Sequence, residues 1–107
     1  MHFLSEELEN YAAQHTEDEP LLLQELNKRT HLNVLQPRMI SGHFQGRFLS
    51  LLSKMVLPRT ILEIGTYTGY ATLCLAEGLH PEGVLHTIDI KEELTDLQRE
   101  FFDRSGY

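Results

Sequence analysis

Several features are scarce in this sequence, and each scarcity excludes a class of protein. Cys74 is the only cysteine, so no disulfide can form within the chain, and we expect this residue to pack inside a predicted helix. The chain has 9 Lys and Arg against 16 Asp and Glu, a net charge of -7, which disfavours binding to a phosphate backbone. We therefore expect neither a disulfide-stapled domain nor a nucleic-acid partner.

Long apolar runs are also absent. No segment approaches the roughly 20 apolar residues of a membrane-spanning helix, so we expect no membrane partner. Residues 1–7 lack the basic and apolar regions of a signal peptide, which predicts a cytoplasmic protein. The hydrophobic share of 41% is typical of globular proteins, and 107 residues suffice for one small domain at most.

The N-terminal part of the sequence predicts helices followed by a loop. Residues 5–14 carry apolar residues at helical spacing behind a Ser5 cap. A second helix is predicted from Thr16, whose hydroxyl would form a capping box with Glu19. Its apolar side would consist of Leu22, Leu23 and Leu26. Residues 31–41 lack sustained periodicity, which predicts a loop.

A third helix is predicted over residues 42–56, where apolar residues recur every three or four positions. We expect these residues to form a broad buried stripe. The stripe comprises Phe44, Phe48, Leu51, Leu52 and Met55.

The C-terminal part of the sequence predicts one βαβ unit. Residues 60–64 and 84–90 are rich in β-branched residues and predict strands, with a helix over residues 70–79 between them. Such a unit implies parallel strands and a right-handed crossover. A final helix is predicted over residues 92–104, with Gly106 as its stop. The fold class is therefore α/β, with helices followed by one βαβ unit and a further helix.

A glycine turn and an acid mark the ends of the two predicted strands. Gly65 and Gly69 stand four apart after the first strand, where glycine permits a sharp turn and close approach of a ligand. Asp89 ends the second strand about 20 residues later, where an acid can bind ribose hydroxyls. Singly, an ordinary turn and a helix cap would explain these residues. Together they predict a crevice for an adenosine-type cofactor.

Other cofactor sites are disfavoured by spacing. The turn lacks the three glycines of G-x-G-x-x-G, which disfavours a dinucleotide, and the sequence has no G-x-x-x-x-G-K-[ST] for a nucleoside triphosphate. The chain has 6 histidines, but none pairs with another at i, i+4 beside an acid. We therefore predict no metal site within this chain.

The motif Leu62-Glu-Ile-Gly-Thr-Tyr-Thr-Gly-Tyr70, with Thr87-Ile-Asp-Ile90 after it, resembles the cofactor-binding motifs of class I methyltransferases that use S-adenosylmethionine. More narrowly, it is similar to the catechol and caffeoyl-coenzyme A O-methyltransferases. Met39-Ile-Ser-Gly-His-Phe-Gln-Gly-Arg-Phe-Leu49 resembles the loop and helix that precede their first strand. The resemblance implies a Rossmann-like fold.

The resemblance also implies roles for individual residues. It places Met39 near the departing methyl group, and it puts Ala71 where many relatives have a serine that binds the cofactor carboxylate, leaving that contact to Thr72, a backbone amide or water. The implied S-adenosylmethionine-binding residues are Ser41, Glu63, Gly65, Thr66, Tyr67, Gly69 and Asp89. Ser41, Gly65 and Thr66 would contact the methionine portion, Glu63 would lie near the ammonium group, and Asp89 would take the ribose.

The family has a larger sheet and a longer chain, so the resemblance implies an N-terminal helical segment (residues 1–35) and the first half of a cofactor-binding domain (residues 36–107). The complete enzyme would methylate a hydroxyl of a small catechol-like or phenylpropanoid-like acceptor, with a divalent metal bound by residues outside this chain. We expect no methyl transfer by these residues alone. Two alternatives stay open: a non-catalytic module that forms a homo-oligomer through its exposed first strand, and a nicotinamide-binding domain.

Overall fold

The computed structural model describes residues 4–107 and contains a two-stranded sheet. Along the chain, helices precede the first strand, separate the two strands and follow the second. The helices are α1 (Glu6–Gln14), α2 (Leu21–Asn33), α3 (Gly42–Val56), α4 (Tyr70–Ala76) and α5 (Thr95–Ser105), and the strands are β1 (Thr60–Ile64) and β2 (Val84–Ile88). Short 3-10 turns, Pro37–Met39 and Glu92–Leu94, precede α3 and α5. The predicted α/β class and βαβ unit are confirmed.

Residues 1–3, at the start of the segment that lacks signal-peptide features, lie outside the described residues. Within residues 4–107, no helix combines the length and the apolar character needed to cross a bilayer.

The two strands pair in parallel, as predicted, with Thr60 opposite Val84 and Ile64 opposite Ile88. The second strand is shorter than the predicted range 84–90, since it ends at Ile88. The carboxylate of Asp89 accepts the backbone amide of Lys91 at 3.0 Å, which turns the chain away from the sheet.

Of the two helix caps predicted in the N-terminal part of the chain, one is confirmed and one is wrong. Ser5 caps α1 by accepting the amide of Leu8 at 3.3 Å, which confirms the first cap. The capping box at Thr16 is wrong, because α2 begins only after Pro20 and the Thr16 hydroxyl donates to the carbonyl of Ala12. That hydroxyl therefore bonds to a carbonyl near the end of α1 and does not cap the start of α2.

The loop between α2 and α3 is shorter than predicted. Helix α2 continues to Asn33, inside the range 31–41 that was expected to be loop. Gln36 then takes a left-handed conformation (φ 54) before the turn Pro37–Met39. At the other end of the chain, Gly106 (φ 82) ends α5 as predicted.

One hydrophobic core joins α2, α4 and α5. Leu23 and Leu26 confirm the predicted apolar side of α2, and Cys74 is fully buried, which confirms its packing role. Burial raises the pKa of the Cys74 thiol to about 11. The core comprises Leu23, Leu26, Tyr70, Leu73, Cys74 and Phe101. Helix α2 thus contributes to the core. The boundary between the N-terminal helical segment (residues 1–35) and the cofactor-binding domain (residues 36–107) stays a prediction.

The buried stripe predicted for α3 is wrong. Phe44, Phe48, Leu51, Leu52 and Met55 are 41% to 71% exposed, whereas the opposite side of the helix packs on α4.

Small residues decide which side of α3 faces α4. A Cβ on Gly46 would lie 2.6 Å from Cε1 of Tyr70, and one on Gly78 would lie 2.3 Å from the carbonyl carbon of Ser53. The two helices approach more closely than large apolar side chains would permit. Close approach of backbones, and not hydrophobic area, therefore sets the orientation of α3.

An ion pair lies at this helix contact. The buried Arg47 guanidinium donates to the Glu77 carboxylate at 3.0 Å, and the Ser50 hydroxyl donates to the same carboxylate at 3.2 Å. Burial alone would raise the pKa of Glu77, but the hydrogen bonds from Arg47 and Ser50 and the charge of Arg47 hold it below its ordinary value. Glu77 is therefore a charged partner inside the fold.

Candidate functional site

The turn after β1 depends on two glycines with different surroundings. Gly65 (φ 97) and Gly69 (φ 95) both have backbone conformations that side chains disfavour. A Cβ on Gly65 would meet no atom within 4 Å, whereas one on Gly69 would lie 2.6 Å from the ring of Phe102. Gly65 therefore keeps the space in front of the turn open, and Gly69 lets α5 pack against the start of α4.

A cavity of about 60 Å³ lies between this turn and the loop before α3. Ser41, Gly65, Thr66 and Tyr67, four of the residues implied by resemblance, line it together with Met39. Sequence reasoning did not name Ile40 and Tyr70, which also line it, and Ala71 completes the wall. Segments 24 or more positions apart in the sequence thus meet at one small space.

Tyr67 connects the turn to three other parts of the chain. Its amide donates to Asp89 at 2.7 Å, and its carbonyl accepts the side-chain amide of Gln98 at 2.6 Å. Its hydroxyl shares its one proton between the carbonyls of Leu35 and Gln36, at 3.2 and 2.9 Å. Partial burial raises the pKa of this hydroxyl, which keeps it a donor. Tyr67 therefore holds the loop before α3 against the glycine turn.

Asp89 lies beside the turn at the end of β2. One carboxylate oxygen accepts the amide of Tyr67, the other accepts the amide of Lys91, and these hydrogen bonds lower the pKa of Asp89. The side chain is exposed, and each oxygen has further lone pairs for a ligand. Asp89 thus fixes the turn and still presents a charged acceptor to solvent.

Glu63 lies away from the cavity, on the side of β1 that faces α4. Its carboxylate accepts the hydroxyls of Thr72 and, at 2.8 Å, Thr87, and the Thr87 hydroxyl is hydrogen-bonded to that of Thr66 at 2.5 Å. Thr72 is therefore occupied and does not replace the serine contact that Ala71 lacks. The threonines of this network are visible in the sequence, in the glycine turn, α4 and β2, but they were not used to predict it.

A buried pair of hydroxyls supports the turn from the side of α2. The hydroxyls of Thr30 and Thr68 are hydrogen-bonded to each other at 3.1 Å, and both residues are fully buried. Thr30 also donates to the carbonyl of Leu26 at 2.7 Å. The glycine turn is therefore anchored by α2, β2 and α5 before any ligand binds.

The described residues provide no cluster of side chains for a metal. Across residues 4–107, no group of three or more His, Cys, Asp or Glu side chains is arranged to hold a metal ion. The structure thus offers a small, partly apolar cavity, and the exposed carboxylate of Asp89 lies beside the turn that lines it.

Comparison with known proteins agrees with this geometry. A model of the O-methyltransferase family matches residues 13–107. The catechol O-methyltransferase of Mycobacterium tuberculosis is 36% identical over 70 residues, which cover 65% of this chain and 32% of that protein. The caffeoyl-CoA O-methyltransferase of Pinus taeda is 36% identical over 68 residues, covering 64% of this chain and 26% of that protein.

A solved structure contains a similar backbone within a longer chain. The O-methyltransferase from Bacillus cereus, determined in complex with SAH, matches with a TM-score of 0.82 and 30% sequence identity. The match covers 94% of this chain and 45% of that one. This chain therefore spans less than half the length of the solved structure, and about a third or less of the two curated relatives.

Proposed function

Because the chain belongs to the O-methyltransferase family, we propose that it binds S-adenosylmethionine and provides the cofactor-binding half of a hydroxyl-methylating enzyme. The observation that carries the proposal is the open space at Gly65, where a Cβ would meet no atom within 4 Å. Glycine at φ 97 in a turn anchored on several sides is explained when a ligand approaches that backbone.

The crevice offers distinct surroundings for the parts of the cofactor. Ser41, Gly65 and Thr66 line the cavity that would take the methionine portion, and Tyr67 flanks the same space. Asp89 would accept hydrogen bonds from the ribose hydroxyls with the lone pairs that its backbone partners leave free.

Glu63 and Gly69 act through their neighbours in this proposal. Glu63 is hydrogen-bonded to Thr72 and Thr87, so it would hold the turn in place rather than touch the cofactor ammonium group. Gly69 would serve the site by letting Phe102 pack beneath the turn.

When bound, S-adenosylmethionine supplies an electrophilic methyl group for transfer to a nucleophilic oxygen. The contribution of this chain is to position the cofactor, which accelerates a reaction between two bound molecules by orientation. By analogy with the catechol and caffeoyl-CoA enzymes, we propose a small acceptor that carries an aromatic hydroxyl. Any divalent metal in the complete enzyme would take its ligands from outside this chain, and methyl transfer by these residues alone is not expected.

Calorimetric titration of the purified chain tests the cofactor proposal. We expect S-adenosylhomocysteine to bind and NAD not to bind. Asp89→Ala should weaken S-adenosylhomocysteine by about 1.5 to 3 kcal/mol, because hydrogen bonds to a charged group are lost. Glu82→Gln, which removes an 81% exposed carboxylate that is paired only loosely with Arg59, is the control and should bind normally. Binding of NAD alone would contradict the methyltransferase assignment of this crevice.

An activity assay tests the expected lack of turnover. The purified chain, supplied with S-adenosylmethionine, Mg²⁺ and catechol, should release no methylated product. Measurable turnover would show that the 107-residue chain also holds the acceptor, and it would contradict this part of the proposal.

A further inference from the structure

Tyr70, which forms part of the cavity wall, has its hydrogen-bond partner in a distant part of the chain. It begins α4, lines the cavity and is 2% exposed. Its hydroxyl donates to the carboxylate of Glu19, which lies 51 positions earlier and is not among the residues that line the cavity. Glu19 belongs to the segment between α1 and α2 (residues 15–20), which we call the α1–α2 linker. The linker therefore supports the cavity wall from outside.

The buried position of Tyr70 makes its hydroxyl dependent on this partner. Burial, together with the hydrogen bond and the charge of Glu19, raises the pKa of Tyr70, so the hydroxyl stays a donor. A buried donor that loses its acceptor is costly, and it turns toward any polar group or water that it can reach. Removal of the Glu19 carboxylate would therefore destabilise the present position of the ring.

The packing around the Tyr70 ring limits where it can move. On the side of α3, a Cβ on Gly46 would lie only 2.6 Å from Cε1 of the ring, so the helix backbone blocks that direction. The cavity, of about 60 Å³, lies on another side of the same residue. A space of this size is comparable to a few water molecules, so even a small shift of the ring would change its shape.

The α1–α2 linker is itself held in place on two helices. Nε2 of His43 donates to the carbonyl of Glu17 at 2.6 Å, and the buried guanidinium of Arg47 donates to the Glu17 carboxylate at 3.2 Å. The side-chain amide of Gln24, on α2, donates to the carbonyl of Glu19 at 2.7 Å. These bonds to α2 and α3 fix the linker, so the carboxylate of Glu19 is a firm anchor for the Tyr70 hydroxyl.

We propose that Glu19 is a positioning residue of the cofactor crevice. Its carboxylate holds the Tyr70 ring in the wall, and this keeps the cavity in the shape that would receive the methionine portion of the cofactor. The inference rests on the proposed function for the identity of that ligand. It gives the α1–α2 linker, which was predicted to belong to an N-terminal helical segment (residues 1–35), a part in the cofactor site.

Calorimetric titration of the 107-residue chain with S-adenosylhomocysteine tests the proposal. Glu19→Ala should weaken binding by at least about fivefold. Glu19→Gln should bind nearly as tightly as the unsubstituted chain, because the amide oxygen of glutamine can accept the same hydroxyl. Glu25→Ala is the matched control and should bind normally, since Glu25 is a carboxylate on α2 that accepts from Arg104 and does not line the cavity.

A double-mutant cycle separates this route from a general loss of stability. Tyr70→Phe keeps the ring and removes the hydroxyl that needs an acceptor. In the Tyr70→Phe chain, Glu19→Ala should cause little further loss of affinity, because the two groups act through one hydrogen bond. An undiminished effect of Glu19→Ala in that chain would overturn the proposal. So would normal binding by Glu19→Ala, or binding by Glu19→Gln as weak as that by Glu19→Ala.

A measurement without ligand distinguishes failure of this inference from failure of the proposed function. Glu19→Ala should shift the NMR amide resonances of Ser41 and Thr66, which line the cavity with Tyr70, and Glu25→Ala should leave them in place. If these resonances shift but the unsubstituted chain does not bind S-adenosylhomocysteine, the proposed function is wrong and the role of Glu19 in shaping the cavity stands. If they do not shift, the inference is wrong.

Discussion

Replacing Gly65 by alanine separates backbone strain from loss of ligand space. Gly65 has φ 97, a conformation that costs a residue with a Cβ about 1 to 2 kcal/mol. The added methyl group would meet no atom within 4 Å, so no packing clash adds to that strain. For a domain of this size, we expect the melting temperature to fall by about 4 to 16 °C.

Gly65→Ala should weaken cofactor binding by more than its loss of folding stability would explain. The methyl group of Gly65→Ala would occupy the space in front of the turn, where we propose that the cofactor lies. We expect the affinity for S-adenosylhomocysteine to fall by at least about tenfold, or about 1.4 kcal/mol, in protein that remains folded. Urea unfolding followed by circular dichroism gives the stability, and calorimetry gives the affinity.

Gly106→Ala is the matched control for Gly65→Ala. Gly106 also has a positive φ, 82, and a Cβ there would also meet no atom within 4 Å, but it lies at the end of α5. It should share the strain and leave binding unchanged. If Gly65→Ala lost stability yet bound S-adenosylhomocysteine as tightly as Gly106→Ala, the space at Gly65 would not be a cofactor site.

Three further predictions concern the framework of the site. The pKa of Glu77 lies below its ordinary value of 4.5, so its stabilising effect is present above pH 4.5 and is lost as the pH falls through the lower folded-state value. Urea unfolding as a function of pH should show that loss of stability. Glu77→Gln should make the stability depend less on pH, and it should cost about 3 to 5 kcal/mol at neutral pH because Arg47 loses its buried partner. Gly46→Ala should cost about 1 to 3 kcal/mol in the same assay, because its Cβ would overlap the ring of Tyr70; an unchanged midpoint would contradict the close helix contact. Tyr67→Phe should cost about 0.5 to 1.5 kcal/mol and speed hydrogen exchange of the loop amides before α3, and unchanged exchange would mean that its hydroxyl does not hold the loop.

Local signals predicted the fold well where neighbouring residues decide the conformation. The two strands are rich in β-branched residues, Gly106 ends α5 through its own left-handed conformation, and Ser5 caps α1 by accepting the amide of Leu8. The orientation of α3 could not be predicted in this way. Its apolar stripe is the stronger sequence signal, but the close contacts of Gly46 with α4 and of Gly78 with α3 join residues far apart in the sequence.

Several residues that line the candidate site could be predicted from the sequence, but the hydrogen bonds around it could not. Resemblance to a family named Ser41, Gly65 and Tyr67, and the structure places all three around one cavity. The position of Glu63 depends on hydroxyls 9 and 24 residues away, and no local pattern identifies such partners. Long-range hydrogen bonds are therefore the part of the site that only the structure reveals.

The hydrogen bonds from the Tyr67 hydroxyl to Leu35 and Gln36 make order in the loop and order in the glycine turn interdependent. Thermodynamic linkage requires that a ligand which stabilises the turn also stabilises the loop, and that the reverse effect has the same size. A molecule that binds only against the loop would thus raise the affinity of the crevice for its cofactor without touching it. In this fold, the free energy of binding to the loop and that of binding to the turn are therefore coupled through the hydroxyl of one tyrosine.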